Sequence, residues 1–424
     1  SSDFEYKHCN ISETRELQEL LSNISSDNMN EVHDAVIPFL QNETSAHQFF
    51  LSLKNIITYR PLLYHHYCHL LSTISNEIKS ISNTQFERKI IVMFKHEFKL
   101  LLTLNELGIL DIENIIDNSL CPFESNQNLK KYFYPEIIKK QPDYFLKYRK
   151  YEGMFLFLTL NLDGGIDHIE KRKKGMNENL ICQYIINDDF DNFLQFVNQN
   201  VIDLNSPVPF SLFESSEFIS NDMHFIEYAA FYGAEKIFKY LIKIDCVNIR
   251  QKTLNAAIIG GNYEIIHLLE DKNIPMKKDC LYDAVKSHRN EIVNYILDNN
   301  YQSIFLSEDV LDDLIPFYNL DFISNTAEFL VSDEYEKKDC KNFLNSALFV
   351  ACENNFADVV DFLLSFNGFS NVNFKYSFFY DMTLLHKAAL SHKIEVVKVL
   401  LNHKGINSSL TDSSILIILF LNNI

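Results

Sequence analysis

Apolar residues recur at helical spacing through the first 165 residues of the chain. One such stripe, between residues 13 and 24, contains Leu17, Leu20, Leu21 and Ile24. Side chains three or four residues apart share a face of an α-helix, so each stripe predicts a helix that buries one side. Residues 86–104 are the longest apolar segment, and the irregular stretch after them lacks the alternation typical of a strand. Residues 1–165 are therefore predicted to form an all-helical domain.

From residue 177 onward a different pattern repeats. In its best copy, Ala388 is followed by His392, Val396 and Leu400, at offsets of four, eight and twelve residues. The same ladder recurs from anchors at positions 185, 229, 257, 284, 315 and 351, and alanine occupies five of the seven anchors. The two weaker copies start at Ile185 and Ile315. The mean spacing of about 34 residues is typical of a helix–turn–helix repeat.

Each position of the ladder has a physical role. A small anchor in the first helix lets the neighbouring unit approach closely. Four residues later the chain must reverse, and Gly, His, Asn or Asp tolerates a left-handed backbone or bonds locally. The two aliphatic positions of the second helix bury against the next unit, because no single repeat buries its own apolar face.

The residues from Thr383 to Ala389 read Thr-Leu-Leu-His-Lys-Ala-Ala. This order resembles the ankyrin repeat, whose consensus carries Thr-Pro-Leu-His-x-Ala-Ala. The resemblance covers residues 177–410 specifically. It implies an all-α fold, in which about seven irregular repeats form a solenoid behind the helical N-terminal domain. Irregular arrays rich in Asn and Phe also resemble the ankyrin-repeat proteins that are expanded in parasitic protists, trichomonads above all.

The pattern also departs from the family consensus. Only the last repeat keeps the Thr and His that bond the turn to the helix start, at Thr383 and His386. The basic run at residues 171–174 lies in a predicted linker, 166–176, and is expected to be a solvated connector. A phosphate-binding patch or a targeting signal is the alternative. After the array, residues 411–424 are predicted to be an apolar tail or cap.

Composition and charge narrow the possible partners. The chain has 424 residues with a formal net charge of −19. A field of that sign repels phosphate, so neither nucleic-acid binding nor membrane binding is expected. The eight cysteines show no Cys-x-x-Cys pair, which favours free thiols in a reducing, cytoplasmic compartment. The longest apolar run is too short to cross a membrane.

Candidate catalytic and metal-binding motifs are weak. No phosphate loop, dinucleotide fingerprint, zinc-protease motif or nucleophile elbow occurs in the sequence. His65 and His69 lie one helical turn apart beside Cys68, but a structural zinc ion needs four ligands and no second cluster supplies the others. We therefore expect the protein not to be an enzyme and to bind no metal, cofactor or small-molecule substrate.

The resemblance implies a binding function, because the ankyrin scaffold presents a surface to protein partners. Candidate contact residues are the aromatics near the ends of two first helices and in the segment before the last repeat: Phe231, Tyr232, Phe317, Tyr318, Tyr376, Phe378, Phe379 and Tyr380. Exposed aromatics are typical of interface hot spots, although the same residues could bury against adjacent repeats. The expected function is a scaffold or adaptor. A fixed part of a cytoskeletal or ribonucleoprotein assembly is the alternative.

Overall fold

The structure is a computed structural model whose contacts divide the chain into two compact units. It describes residues 10–117, 127–145, 166–214, 218–219, 222–244, 247–301, 309–331, 337–366, 371–376 and 382–407. The first unit contains Ser1–Leu21, Thr44–Ser52 and Asn290–Ile424. The second unit contains Ser22–Glu43 and Leu53–Arg289. Both units therefore draw on the N-terminal helices and on the repeats.

Short helices make up the N-terminal region, as its apolar stripes predict. They are α1 (Ile11–Ser22), α2 (Met29–Val36), α3 (Glu43–Ile57), α4 (Tyr64–Thr73), α5 (Ser75–Ile81), α6 (Thr84–Met93), α7 (Phe98–Glu106), α8 (Ile112–Ile115), α9 (Gln127–Tyr132) and α10 (Tyr134–Lys140). The long apolar segment 86–104 is two helices, with a turn in which buried Glu97 accepts a hydrogen bond from Thr58 (2.8 Å). Leu17 and Leu21 are buried, as the stripe in α1 predicts.

The basic run at residues 171–174 forms the end of a helix, α11 (Ile166–Lys174). Arg172 is buried there, and its guanidinium donates two hydrogen bonds of 2.7 Å to the carboxylate of Glu136. It also donates to the carbonyl of Tyr132 at 3.0 Å. The expectation of a wholly solvated run is therefore wrong for Arg172, because a carboxylate and a carbonyl compensate the buried charge.

Pairs of helices follow in the repeat region. They are α12 (Leu180–Ile186) and α13 (Phe190–Gln199), α14 (Phe225–Tyr232) and α15 (Glu235–Leu241), α16 (Gln251–Gly260) and α17 (Tyr263–Asp271), α18 (Lys278–Lys286) and α19 (Asn290–Ile296), α20 (Asp309–Leu314) and α21 (Leu320–Val331), α22 (Lys337–Asn354) and α23 (Ala357–Leu364), α24 (Leu384–Leu390) and α25 (Ile394–Asn402). In the second unit α16 packs between α14 and α18, and in the first unit α22 packs against α24. Alanine anchors such as Ala229 and Ala257 are fully buried at these contacts.

A left-handed residue lies between the helices of every pair. These residues are Asp188 (φ 47°), Gly233 (68°), Gly261 (79°), His288 (52°), Tyr318 (53°), Asn355 (62°) and His392 (53°). In five repeats this residue is the Gly, His or Asn that the ladder places four residues after the anchor. In the other two it lies one residue earlier than the ladder places it, at Asp188 and Tyr318. Tyr318 is unusual, because a bulky residue rarely adopts this conformation.

The turn geometry moves two anchors of the predicted ladder by one residue. In the second repeat, Ala234 N donates to the anchor carbonyl of Ala229 at 2.9 Å. The corresponding bond in the first repeat runs from Asp189 N to Tyr184 O at 2.8 Å, so Tyr184 is the anchor and Ile185 is not. In the fifth repeat the left-handed residue, Tyr318, lies four residues after Leu314, so Leu314 is the anchor there and Ile315 is not.

Polar side chains join neighbouring repeats within the second unit. Glu227 on α14 is fully buried, and Arg250, just before α16, donates to both of its oxygens at 2.8 Å. Arg289 donates to the carbonyl of Ile259 at 2.9 Å, at the end of α16. These bonds fix the register of one repeat against the next.

In the described part of the chain, strands occur only as one short antiparallel pair. Strand β1 (Lys375–Tyr376) pairs with β2 (Met382–Thr383), with Lys375 opposite Thr383. This hairpin lies just before α24, in the segment that the sequence marks as aromatic. Apart from it, the described residues have the all-helical class that the sequence predicts.

Candidate protein-binding surface

Phe231 and Tyr232, two of the predicted contact residues, lie at the end of α14. Both are buried: Phe231 packs against Phe218 with ring centroids 5.3 Å apart, and Tyr232 donates its hydroxyl proton to Glu214 at 2.5 Å. They are covered because the long segment between the first two repeats folds back over α14. Their role in binding a partner stays a prediction, and in this conformation their rings hold that segment in place.

Glu214 is the centre of a buried polar cluster. Its carboxylate accepts hydrogen bonds from the hydroxyls of Tyr228 and Tyr232, each at 2.5 Å, and from Asn177 Nδ2 at 3.2 Å. Burial raises the pKa of Glu214 above the ordinary glutamate value, while the three hydrogen bonds oppose that shift. The cluster therefore anchors the segment that covers α14.

Phe317 and Tyr318 lie in the turn between α20 and α21, in the first unit. Phe317 is half-buried and Tyr318 is buried. The Tyr318 hydroxyl hydrogen-bonds Asp358, and its ring packs on Phe356 with centroids 4.6 Å apart. These contacts stabilise the left-handed conformation. Binding of a partner through Tyr318 stays a prediction, as it does for Phe231 and Tyr232, because this side chain already makes contacts within the fold.

The backbone of this turn is bonded by an N-terminal side chain. Gln18 of α1 donates from Nε2 to the carbonyl of Tyr318 at 2.8 Å, and its Oε1 accepts from Leu320 N at 3.0 Å. The same Nε2 also donates to Ser52 Oγ at 3.2 Å. Beside it, Arg15 forms an ion pair with Asp321. The turn around Tyr318 is therefore already bound by helix α1 of the same unit.

A second N-terminal side chain has the same role in the second unit. Arg60, just before the short helix at Pro61–Leu63, donates from Nη2 to the carbonyl of His288 at 3.0 Å. His288 is the left-handed residue after α18. Neither Gln18 nor Arg60 was among the predicted site residues. The sequence feature that could have identified Gln18 is its position as a polar residue between the buried positions of an apolar stripe.

The predicted aromatic segment is only partly described. Tyr376 lies in β1, opposite Met382, and nothing is described of its side chain. Phe378, Phe379 and Tyr380 lie outside the described residues. For this segment the binding assignment therefore stays a prediction.

The turn of the last repeat is exposed. Leu390 and Ile394, on either side of His392, are 49% and 37% exposed.

At the other end of α24, Thr383 N donates to His386 Nδ1 at 3.1 Å, and His386 N donates to Thr383 Oγ1 at 3.4 Å. Burial and nearby Lys375 lower the pKa of His386, which favours the neutral ring that this acceptor role requires. The Thr–His tie expected from the consensus is therefore present at the start of α24.

Among the described residues there is neither a cluster of potential metal ligands nor a candidate membrane-spanning helix. No three His, Cys, Asp or Glu side chains among them are placed to share a metal ion. In the segment of His65, Cys68 and His69, Cys68 Sγ lies 3.4 Å from Thr103 Oγ1, and the rings of His65 and His66 pack together. No helix within the described ranges has the length and apolarity to span a bilayer.

Comparison with protein families agrees with the repeat geometry. Residues 320–412 match the family described as ankyrin repeats, in three copies. Residues 244–326 match a domain of unknown function, DUF3447. No curated protein matches the chain. The fold class predicted from the sequence is confirmed, with ankyrin repeats in the C-terminal part. Such repeats in general mediate protein–protein interaction, whereas the resemblance to protist proteins stays a prediction.

Proposed function

We propose, because ankyrin repeats occupy residues 320–412, that this protein is a non-catalytic scaffold or adaptor that binds a protein partner. The observation that carries the proposal is the exposed apolar turn of the last repeat, at Leu390 and Ile394. The Tyr318 turn of the same unit, in contrast, is already bonded by Gln18. Apolar side chains exposed beside a rigid helix pair are suited to bind another protein.

The proposal includes a reducing, cytoplasmic location. The described cysteines Cys68, Cys182, Cys280 and Cys352 are free thiols, and all but Cys68 are buried. Unpaired buried thiols are typical of proteins from a reducing compartment. This supports the location that the sequence predicts.

Affinity capture from native lysate tests the function. The full chain is compared with a Leu390→Asp, Ile394→Asp variant and with a Val92→Asp control. Val92 is as exposed as Leu390, at 49%, but lies on α6, outside the repeats. We expect a set of proteins captured by the wild type and the control to be lost from the double variant, as measured by quantitative mass spectrometry. Identical captured sets for all three chains would contradict the proposed surface.

A further inference from the structure

Helix α1 is amphipathic and closes its own N-terminus. Its N-terminus is closed by a reciprocal pair of bonds, since Asn10 N donates to Glu13 Oε2 at 3.0 Å and Glu13 N donates to Asn10 Oδ1 at 2.9 Å. This capping box satisfies two backbone donors without help from the rest of the protein. One face of the helix, containing Thr14, Leu17, Gln18 and Leu21, is buried.

The surface that α1 covers bonds to specific polar groups of this helix. Gln18 uses its whole amide group: Nε2 donates to the Tyr318 carbonyl and Oε1 accepts from Leu320 N, so the contact is with backbone atoms of the turn. One helical turn earlier, Arg15 pairs with Asp321 and donates to Asn325 Oδ1 at 3.3 Å. Asp321 and Asn325 lie four residues apart and so share a face of α21.

This arrangement is the helix-in-groove mode, in which aliphatic anchors give affinity and flanking polar groups fix the register. A helix of twelve residues is marginally stable alone in water, so α1 depends on the groove for its order. Any other helix with the same pattern offers the groove the same contacts. An external helix would have to displace α1 to make these contacts.

We propose that the groove formed by Ser52, the 318–320 turn, Asp321 and Asn325 is a second protein-binding site, and that α1 is its displaceable internal occupant. The external partner is an amphipathic helix with glutamine at the Gln18 position, leucine one residue before and three residues after it, and arginine three residues before it. The inference rests on the proposed function in that the repeats bind protein, but the groove is separate from the Leu390 turn.

A labelled synthetic peptide of residues 10–22 is the probe, and its binding to full-length chains is followed by fluorescence anisotropy. In one chain, Leu17→Asp and Leu21→Asp place carboxylates in the buried face and release the internal helix. We expect this chain to bind the peptide saturably and at least about tenfold more tightly than the wild type, whose own helix competes. A Gln18→Ala peptide should bind about tenfold more weakly, because three hydrogen bonds are lost.

A charge swap checks the register. An Asp321→Arg substitution in the released chain should favour an Arg15→Asp peptide over the wild-type peptide. If the released chain loses its helical circular dichroism, a milder Arg15→Glu, Gln18→Ala chain that keeps both leucines replaces it, with the same expectations. Equal binding of the wild-type and Gln18→Ala peptides, or no binding to a folded released chain, would overturn the proposal. Neither result affects the capture experiment at Leu390, so the two proposals fail separately.

Discussion

Replacing Arg250 with methionine is the sharpest test of how the repeats hold together. Glu227 is fully buried, and Arg250 supplies two hydrogen bonds of 2.8 Å to its carboxylate. Without them the carboxylate keeps the backbone N–H of His224, at 2.9 Å, and has no cation beside it. Removing one partner of a buried ion pair costs about 3–5 kcal/mol. We expect about 3 kcal/mol, since Arg250 itself is 30% exposed.

The assay is urea unfolding of the full chain at pH 7.5, followed by far-ultraviolet circular dichroism. Lys252→Met is the matched control, because Lys252 lies two residues after Arg250 and pairs with Asp222 at 2.7 Å, but that carboxylate is 67% exposed. An exposed pair contributes at most about 1 kcal/mol, so the control should unfold almost as the wild type does.

A second variant separates the lost ion pair from lost packing. With Glu227→Gln added to Arg250→Met, the buried group is neutral and needs no cation, so most of the lost stability should return. The reasoning would be refuted if Arg250→Met and Lys252→Met shifted the midpoint equally, or if the Gln substitution made the Met variant still less stable.

Three further changes have defined outcomes. Burial raises the pKa of Asp283 to about 6, above its unfolded value, so its contribution to stability is complete below pH 4 and is lost as pH rises through 6; Asp283→Asn should therefore gain about 2 kcal/mol over the wild type between pH 4.5 and 7.5 in urea unfolding. Gly260→Ala should lower the melting temperature, because the added Cβ meets two backbone carbonyls of α14 and the overpacking cost of about 1–3 kcal/mol exceeds the gain of about 1 kcal/mol in helix propensity. Tyr232→Phe removes one of two hydroxyls that bond Glu214, so hydrogen exchange should accelerate in residues 206–214, at a cost of about 1–3 kcal/mol.

The repeat fold was largely predictable because its signal is carried by packing. Buried alanine anchors and the glycine turns at Gly233 and Gly261 recur at fixed offsets, and the last repeat retains Thr383 and His386. At Ile185 and Ile315 the ladder was one residue late. A large aliphatic residue satisfies the packing positions in either register, and no glycine marks the left-handed residue there.

The candidate site was harder to predict because it depends on contacts distant in sequence. The aromatic pair at Phe231 and Tyr232 has the composition of an interface, but burial is decided by Glu214 and the segment around it. Gln18 lies 300 residues before Tyr318 along the chain, and a single polar residue in an apolar stripe does not indicate which carbonyl it will bond.

The bonds from Gln18 and Arg60 affect how the protein should be divided for experiment. A fragment that begins at residue 177 keeps every repeat but lacks both side chains, and so leaves the carbonyls of Tyr318 and His288 without these donors. It also uncovers the apolar surface beneath Leu17 and Leu21. Such a fragment should aggregate, or bind helices at the uncovered groove without competition from α1, so the proteins captured by the isolated repeats should differ from those captured by a chain that includes α1.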